Sequence, residues 1–418
     1  MSYVKIEGGT KLEGELSLQG SKNGVLPILA ACILCKGRVI LKNCPDISDV
    51  RDILYTLSFA GVTSTFKEGC LDLDTTDAFP YRFGPELACK TRGGVLLLGA
   101  CWGRFHEAGM AYPGGCVIGA RPIDLHCRVF RQLGATLSEK PEGVFLCGCP
   151  EGGRVVLPYP SVGATENAVL AAVCAKGNTV IYGAAREPEV AELCRFLNRA
   201  GAKICGIGTS RIGIEGVRGL RGTEYTVSGD RIVAGTYLAA AAVTGGEVCL
   251  CGTRHVCMKG IAEYFGRMGN RIYREADRIV INAPKRLKAV PGIVTAPYPA
   301  FPTDMQSLTV AMLATAEGDS CVEETVFESR FGVVPELQRM GADIQRNGQS
   351  VYIRGMERLQ GTTVTAMDLR SGAALVLAGL AAEGETCVDG YEYIARGYED
   401  ICGTMRRLGA KTVLAEEK

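Results

Sequence analysis

The chain has 418 residues, 47% hydrophobic and 22% charged, enough apolar material for two or three domains and too little polar sequence for disorder. Its 46 Lys+Arg against 45 Asp+Glu leave a net charge of +1, which excludes the basic surface of a nucleic-acid coat but not local arginines around a small anion. Three histidines exclude a His-rich metal centre, and 19 dispersed cysteines with no paired C-x-x-C pattern exclude both a zinc module and a secreted disulfide scaffold. The start, Met1 to Gly9, has no apolar signal core, and apolar runs such as Tyr237 to Thr244 are too short to cross a bilayer. The expectation is a cytoplasmic protein with no membrane insertion.

The first predicted element is a strand over Glu13–Leu18, in an opening segment able to pair with either half of the chain. An apolar helical run follows from Lys22 through Gly24–Ala31, then a strand at Gly37–Leu41, then an amphipathic helix closed by Ala60-Gly61-Val62. The closing phrase returns at Leu133-Gly134-Ala135, Ala200-Gly201-Ala202, Met268-Gly269-Asn270, Met340-Gly341-Ala342 and Leu408-Gly409-Ala410, at intervals of 67 to 73 residues. The third copy is the clearest. Ala164–Ala172 reads as a helix and Gly177–Tyr182 as a strand. Val190, Leu193, Phe196 and Leu197 share a helical stripe that ends at Gly201, and Ala202–Cys205 is again a strand.

Six copies suit two domains of three: residues 21–229 in the first, and 1–20 plus 230–418 in the second. Helices made of small apolar residues, such as Ala239–Ala242, are predicted inside, with the sheets outside. Helix starts carry Lys22-Asn23, Arg92, Thr165-Glu166-Asn167, Asp230-Arg231, Thr303-Asp304, and Asp368 with Arg370. The repeat gathers these at one end of each domain. Two such ends facing each other make a mostly cationic cleft, where helix N-termini add N–H groups suited to phosphate or carboxylate. Ordinary capping accounts for Asp and Thr at such positions, but not for Lys and Arg, which oppose the helix dipole.

Four phrases stand apart from the repeat: Gly20-Ser-Lys-Asn-Gly-Val-Leu-Pro; Pro113-Gly-Gly-Cys-Val-Ile-Gly-Ala-Arg-Pro-Ile-Asp-Leu-His126; Pro160-Ser-Val-Gly-Ala-Thr-Glu-Asn167; and Ala300-Phe-Pro-Thr-Asp-Met-Gln306, followed by Glu324–Phe331. Asp368-Leu-Arg370 and Arg396-Gly-Tyr-Glu come later. In this order, and over nearly the whole chain, they resemble the UDP-N-acetylglucosamine enolpyruvyl transferases. The resemblance implies an α/β fold, the inverted α/β barrel, with two domains each of three βαβαββ units around buried helices and the active site in the interdomain cleft. It implies transfer of the enolpyruvyl group of phosphoenolpyruvate to the 3′-hydroxyl of UDP-N-acetylglucosamine, as the first committed step of peptidoglycan synthesis. Phosphate leaves after a tetrahedral ketal, and no metal or organic cofactor is needed.

The resemblance also assigns residues. Cys116 matches the lid cysteine, a proton donor open to a phosphoenolpyruvate or fosfomycin adduct. A thiol on a Gly-rich loop beside Arg121 suits that chemistry, although most of the other cysteines read as small hydrophobes. Asp304 matches the acid/base at the sugar hydroxyl, with helix capping as its alternative role. Lys22, Asn23, Cys116, Arg121, Arg330, Arg370 and Arg396 match the phosphoenolpyruvate site, Lys22 and Arg396 also counting as catalytic; guanidinium pairs suit its two anionic ends, and surface ion pairs are the plainer reading. Asn23, Arg92, Arg121, Pro122, Ile123, Asp124, Leu125, Ser161, Val162, Gly163, Asp304 and Val326 match the sugar-nucleotide site. His126 reads as a hydrogen-bond partner of site residues rather than as a catalyst.

Gly229, Val233, Gly93-Gly94 and Ala395 depart from the family's usual Pro, acidic residue, Ala-Ser and Asp. They leave room for a specialised paralogue. Two further readings are the sister enzyme acting on shikimate 3-phosphate and a sugar-nucleotide sensor. The Cys116 loop and PSVGATEN weigh against the first, and the intact proton-handling residues against the second. The loop around Cys116, rich in glycine and without an apolar stripe, is expected to be mobile when empty and to order over bound sugar nucleotide.

Overall fold

Six helices are apolar on every side: Lys22–Cys32, Leu96–Phe105, Val162–Ala172, Arg231–Thr244, Gln306–Leu313 and Leu369–Ala381. A helix with no polar face has to be enclosed, and each of these is buried over almost its whole length. Six later helices alternate with them and bury only one stripe: Ser48–Ser58, Asp124–Gln132, Pro188–Ala200, Lys259–Arg267, Val334–Arg339 and Ile401–Arg407. Pro188–Ala200 buries the expected Val190, Leu193, Phe196 and Leu197 and stops at Gly201, whose φ of 112° suits a residue without Cβ. The inner helices pack closely. At Gly99 a methyl group would collide with Asn167 of the next inner helix, and the Gly99 N–H instead donates to Asn167 Oδ1 at 3.0 Å.

The structure is a computed structural model that describes residues 2–90, 92–112, 118–119, 122–253, 255–275 and 277–416, with backbone alone at Arg92 and His255. The described chain divides into two compact units, one of residues 2–19, 118–119 and 229–416 and the other of 20–112 and 122–228. Each has its own core. One gathers Leu238, Phe265, Leu308, Phe331 and Leu375; the other gathers Ile28, Leu97, Trp102, Phe130, Val169 and Phe196.

Each unit carries three four-stranded sheets of one design. A short edge strand runs parallel to a central strand, which pairs antiparallel with a second central strand, and that strand pairs antiparallel with the other edge. In the third repeat these are Arg154–Val156, Asn178–Tyr182, Arg211–Glu215 and Lys203–Cys205. In the first and fourth repeats the edge strands are exchanged. Glu13–Ser17 precedes the first inner helix but pairs with Glu247–Cys251 of the fourth repeat. Glu224–Thr226 precedes the fourth inner helix but pairs with Arg38–Lys42 of the first. Ser2–Glu7 fills the sixth sheet between Glu385–Asp389 and Lys411–Glu416. Both N-terminal strands therefore pair within the unit of residues 229–416. The fold is the expected mixed α/β architecture; among the described residues each sheet remains open, with a two- or three-residue strand on one edge of most of them. No described helix is long and apolar enough to cross a membrane.

Candidate active site

In the unit of residues 229–416 the three inner helices bring their N-terminal ends together. Asp230 caps its helix through the N–H groups of Ile232 (2.7 Å) and Val233 (3.0 Å). Asp368 caps another through Arg370 (2.8 Å) and Ser371 (3.1 Å). Asp304, which looks the same in sequence, does not cap. Residues Thr303–Met305 form a 3-10 turn before the helix Gln306–Leu313, and Pro302 stands at its cap position without a side-chain bond. The Asp304 carboxylate turns instead to two guanidinium groups, accepting from Arg330 Nη2 at 2.6 Å and Arg370 Nη2 at 3.1 Å. The arginine side chains are 3% and 4% exposed, and that of Asp304 is 23%.

Partners continue on both sides. Arg330 Nη1 donates to Thr303 Oγ1 at 3.1 Å, and Thr303 in turn donates to Glu324 Oε2 at 2.8 Å. Glu324 has no exposed surface. Its other oxygen accepts from Thr295 Oγ1 (2.9 Å) and from the N–H groups of Val326 (2.8 Å) and Phe327 (3.1 Å). Arg370 Nη1 reaches the buried Tyr398 hydroxyl at 3.5 Å, which lies 2.7 Å from Thr236 Oγ1. A continuous chain of polar contacts thus runs from Glu324 through Thr303, Arg330, Asp304, Arg370 and Tyr398 to Thr236. Burial pushes the Asp304 pKa upward, but Arg370 and Arg330 outweigh it and hold the carboxyl well below the usual carboxylate range. Burial lowers the Arg370 pKa, yet Asp304 lifts it above the ordinary arginine value. Burial raises the Tyr398 hydroxyl. Arg396 is half-buried, two residues before Tyr398. Ser329 N–H donates to Ile118 O at 3.2 Å, so the described end of the Cys116 segment rests beside Arg330's own loop.

In the unit of residues 20–228, Ser21 caps the helix that starts at Lys22, accepting from Gly24 N–H at 3.1 Å. Lys22 Nζ meets Asp49 Oδ2 at 2.7 Å, with side-chain exposures of 11% and 3%. Asn23 is half-buried beside it. Ser161 caps the helix of Val162 and Gly163 through Ala164 N–H at 3.3 Å. Thr165 is not a cap: it donates to Ser161 O at 2.7 Å and accepts from Ala185 N–H at 3.0 Å. Asn167 Nδ2 donates to Val95 O (3.1 Å) and to His126 Nδ1 (2.7 Å). That leaves the proton of neutral His126 on Nε2, an assignment that follows from the bonding network. A Cβ at Gly163 would stand 3.0 Å from His126 Cε1, so the glycine makes room for the ring. Asp124 and Leu125 open the helix that carries His126, with Pro122 and Ile123 just ahead of it. Burial drives the Glu166 carboxyl well above its ordinary value, and Glu189 and Glu187 add to the rise. Glu192 is raised chiefly by burial and accepts Ser228 N–H at 2.6 Å.

The structure thus joins Asp304, Arg330 and Arg370 directly, and ties Val326 to them through Glu324. Lys22, Ser161, Val162 and Gly163 stand at helix starts. The backbone of Arg92 opens the turn Arg92–Val95 before the second inner helix. Cys116 and Arg121 lie outside the described residues. Sequence reasoning placed Thr303 only at a helix start and gave no role to Glu324, Tyr398, Thr236 or Asp49. Glu324, Thr303 and Tyr398 fall inside conspicuous phrases, which was the only available signal.

A family model described as EPSP synthase (3-phosphoshikimate 1-carboxyvinyltransferase) matches residues 6–405. Among solved structures, the enolpyruvyl transferase NikO from Streptomyces tendae shares the fold with a TM-score of 0.89 at 24% identity, over 99% of both chains. EPSP synthase from Acinetobacter baumannii does so at 0.76 and 19%, over all of both chains. The chain belongs to the enolpyruvyl transferase family. The UDP-N-acetylglucosamine 1-carboxyvinyltransferase 2 of Caldanaerobacter subterraneus subsp. tengcongensis is 44% identical to it over 99% of each chain. That of Acinetobacter guillouiae is 43% identical, covering 98% of this chain and 99% of its own. Within the family, the chain stands with the UDP-N-acetylglucosamine 1-carboxyvinyltransferases.

Proposed function

We propose that the chain transfers the enolpyruvyl group of phosphoenolpyruvate to the 3′-hydroxyl of UDP-N-acetylglucosamine in the cytoplasm, and that residues of both units serve this one reaction. The observation that carries the mechanism is the Asp304 carboxylate clasped by two buried arginines. Held this way it is a stable anion but a weak base. Phosphoenolpyruvate brings a phosphate and a carboxylate, which compete for Arg330 and Arg370. As the guanidinium groups turn to the donor, the Asp304 pKa returns toward its ordinary range and the group takes the proton of the sugar hydroxyl. The sugar oxygen bonds to the central carbon of the enol while a proton reaches its methylene carbon, a step assigned to Cys116 by resemblance. The ketal then loses a methyl proton and its phosphate C–O bond, leaving the enol ether. Lys22, Arg121 and Arg396 hold the departing phosphate and the carboxylate.

Ser161, Val162 and Gly163 supply helix-start groups to the nucleotide, with His126 setting the backbone of Gly163. The test is phosphate release from phosphoenolpyruvate with UDP-N-acetylglucosamine or shikimate 3-phosphate as acceptor. Release with the nucleotide sugar alone is expected. Release only with shikimate 3-phosphate moves the chain to the sister activity, and release with neither makes it a binder.

A further inference from the structure

The outer face of the fourth repeat's sheet collects two thiols and a carboxylate. In the strand Glu247–Cys251, Val248 and Leu250 point into the core, so Cys249 and Cys251 both point outward. The parallel strand Glu13–Ser17 sets Glu15 opposite Cys249. Cys251 Sγ donates to Glu15 Oε1 at 3.2 Å. One ligand atom from each of Glu15, Cys249 and Cys251 lies within 4.8 Å of the other two, and all three residues keep access to solvent. Among the described residues this is the only group of three or more such side chains so close together.

The repeat supplies a comparison inside the molecule. Cys321 and Cys387 hold the matching place in the central strands of the other two sheets of this unit, Asp319–Glu323 and Glu385–Asp389. Two residues on, those strands carry Glu323 and Asp389, where the fourth repeat carries a second thiol. Cys387 also faces Lys5 across its sheet. A pair of thiols beside a carboxylate therefore occurs at one of three equivalent places.

We propose that Glu15, Cys249 and Cys251 form a three-ligand site for a thiophilic divalent cation of the zinc and cadmium class. Ligand atoms around such an ion stand roughly 3.5 Å apart, given metal–sulfur bonds of about 2.3 Å and metal–oxygen bonds of about 2.1 Å. Small rotations of three solvent-accessible side chains reach that spacing. Binding breaks two S–H bonds, sends two protons to solvent, and forms two metal–sulfur bonds and one metal–oxygen bond, with no change of oxidation state. Arg278 Nη2 stands 3.5 Å from Glu15, facing the group from the next strand. Two thiolates and one carboxylate then balance the divalent ion plus Arg278, so the loaded site is neutral. The fourth tetrahedral position is left to water. The ion clips the N-terminal strand to a strand more than 230 residues later in the chain, and stabilises the folded unit by mass action.

The test uses the full-length reduced protein, freed of metal. Iodoacetamide labelling is followed by peptide mass spectrometry with and without added Zn²⁺. Cys249 and Cys251 are expected to label at least tenfold more slowly with the ion, while Cys321 and Cys387 keep their rates. Cd²⁺ titration, read by the sulfur-to-cadmium absorbance, is expected to lose one tight equivalent in Cys249→Ser and in Cys251→Ser and to weaken in Glu15→Gln, but to be unchanged in Cys321→Ser. Equal labelling of Cys249 and Cys251 with and without Zn²⁺ overturns the proposal. So does an unchanged Cd²⁺ titration in the folded Cys251→Ser variant.

Discussion

Replacing Asp304 by Asn separates what its charge does for the fold from what it does for the reaction. The amide keeps the size of the carboxylate and can still accept from Arg330, but its NH₂ group then faces the Arg370 guanidinium, donor against donor. Two arginine side chains, 3% and 4% exposed, lose the carboxylate that contacts them both. Removing one partner of a buried pair costs about 3–5 kcal/mol. Because the Asp304 side chain remains 23% accessible, the low end applies, about 3 kcal/mol, or roughly a hundredfold in the unfolding equilibrium. Urea unfolding at pH 7 measures it. The sign with pH follows from a depressed carboxyl: its stabilisation is complete above the unfolded value of about 3.9 and is lost as pH falls toward the lower folded value. The gap between parent and variant should therefore hold from pH 7 to about pH 5 and close in more acid solution. Turnover at pH 7, measured on the folded variant, should fall by about 10²–10⁴-fold, the range of a general acid–base group. A variant as stable as the parent would refute the energetic argument. A stable or unstable variant with near-full turnover would refute the assignment of Asp304 as the base.

Glu324→Gln should cost about 2–3 kcal/mol in urea unfolding, because a buried carboxylate that accepts from donors on both oxygens becomes an amide whose NH₂ replaces one of those acceptors; an unchanged midpoint counts against the network. Glu166, with a raised folded pKa, contributes stability that is full below its unfolded value of about 4.3 and is lost as pH rises toward the folded value. Glu166→Gln should accordingly match the parent near pH 4 and exceed it increasingly from pH 5 to 8, and parallel stability curves would sink this account. Fosfomycin should modify Cys116 alone among the 19 cysteines, and faster when UDP-N-acetylglucosamine is present. Peptide mapping with and without the nucleotide decides it, and a rate indifferent to the nucleotide removes the lid role.

The repeat was legible because each copy spells out its own elements: an apolar helix, a strand, an amphipathic helix and a closing glycine are all local patterns. Partners across long separations were not. Glu13–Ser17 reads plainly as a strand, but nothing in it says that its neighbour is Glu247–Cys251. The same limit governs the site. Asp230, Asp304 and Asp368 stand alike before helices, and two of them cap as their type predicts. Asp304 departs because its arginines lie 26 and 66 residues further along the chain and overcome the local preference. Glu324 follows a strand, where an acidic residue ordinarily faces water. Its burial becomes intelligible only once Thr295 and Thr303 are seen to donate to it. Tyr398 stands two residues from Arg396, yet its partner Thr236 belongs to a helix 162 residues earlier.

The exchange of edge strands has a consequence for synthesis. Residues 20–228 hold nearly everything their unit needs and can fold soon after they leave the ribosome. The strands Ser2–Glu7 and Glu13–Ser17 emerge first and finish last. The second has no partner until residue 251 is made; the first has none until Glu385–Asp389 is made, and its sheet is completed only by Lys411–Glu416. At about 5–20 residues per second, the roughly 190 residues after position 228 take on the order of 10–40 s to translate. Through most of that interval the nascent chain carries at least one unpaired N-terminal strand, alternating apolar and polar, the kind of surface that recruits other chains. Trigger-type chaperones that shelter N-terminal segments should therefore matter more to the yield of this protein than to one whose first strands close locally.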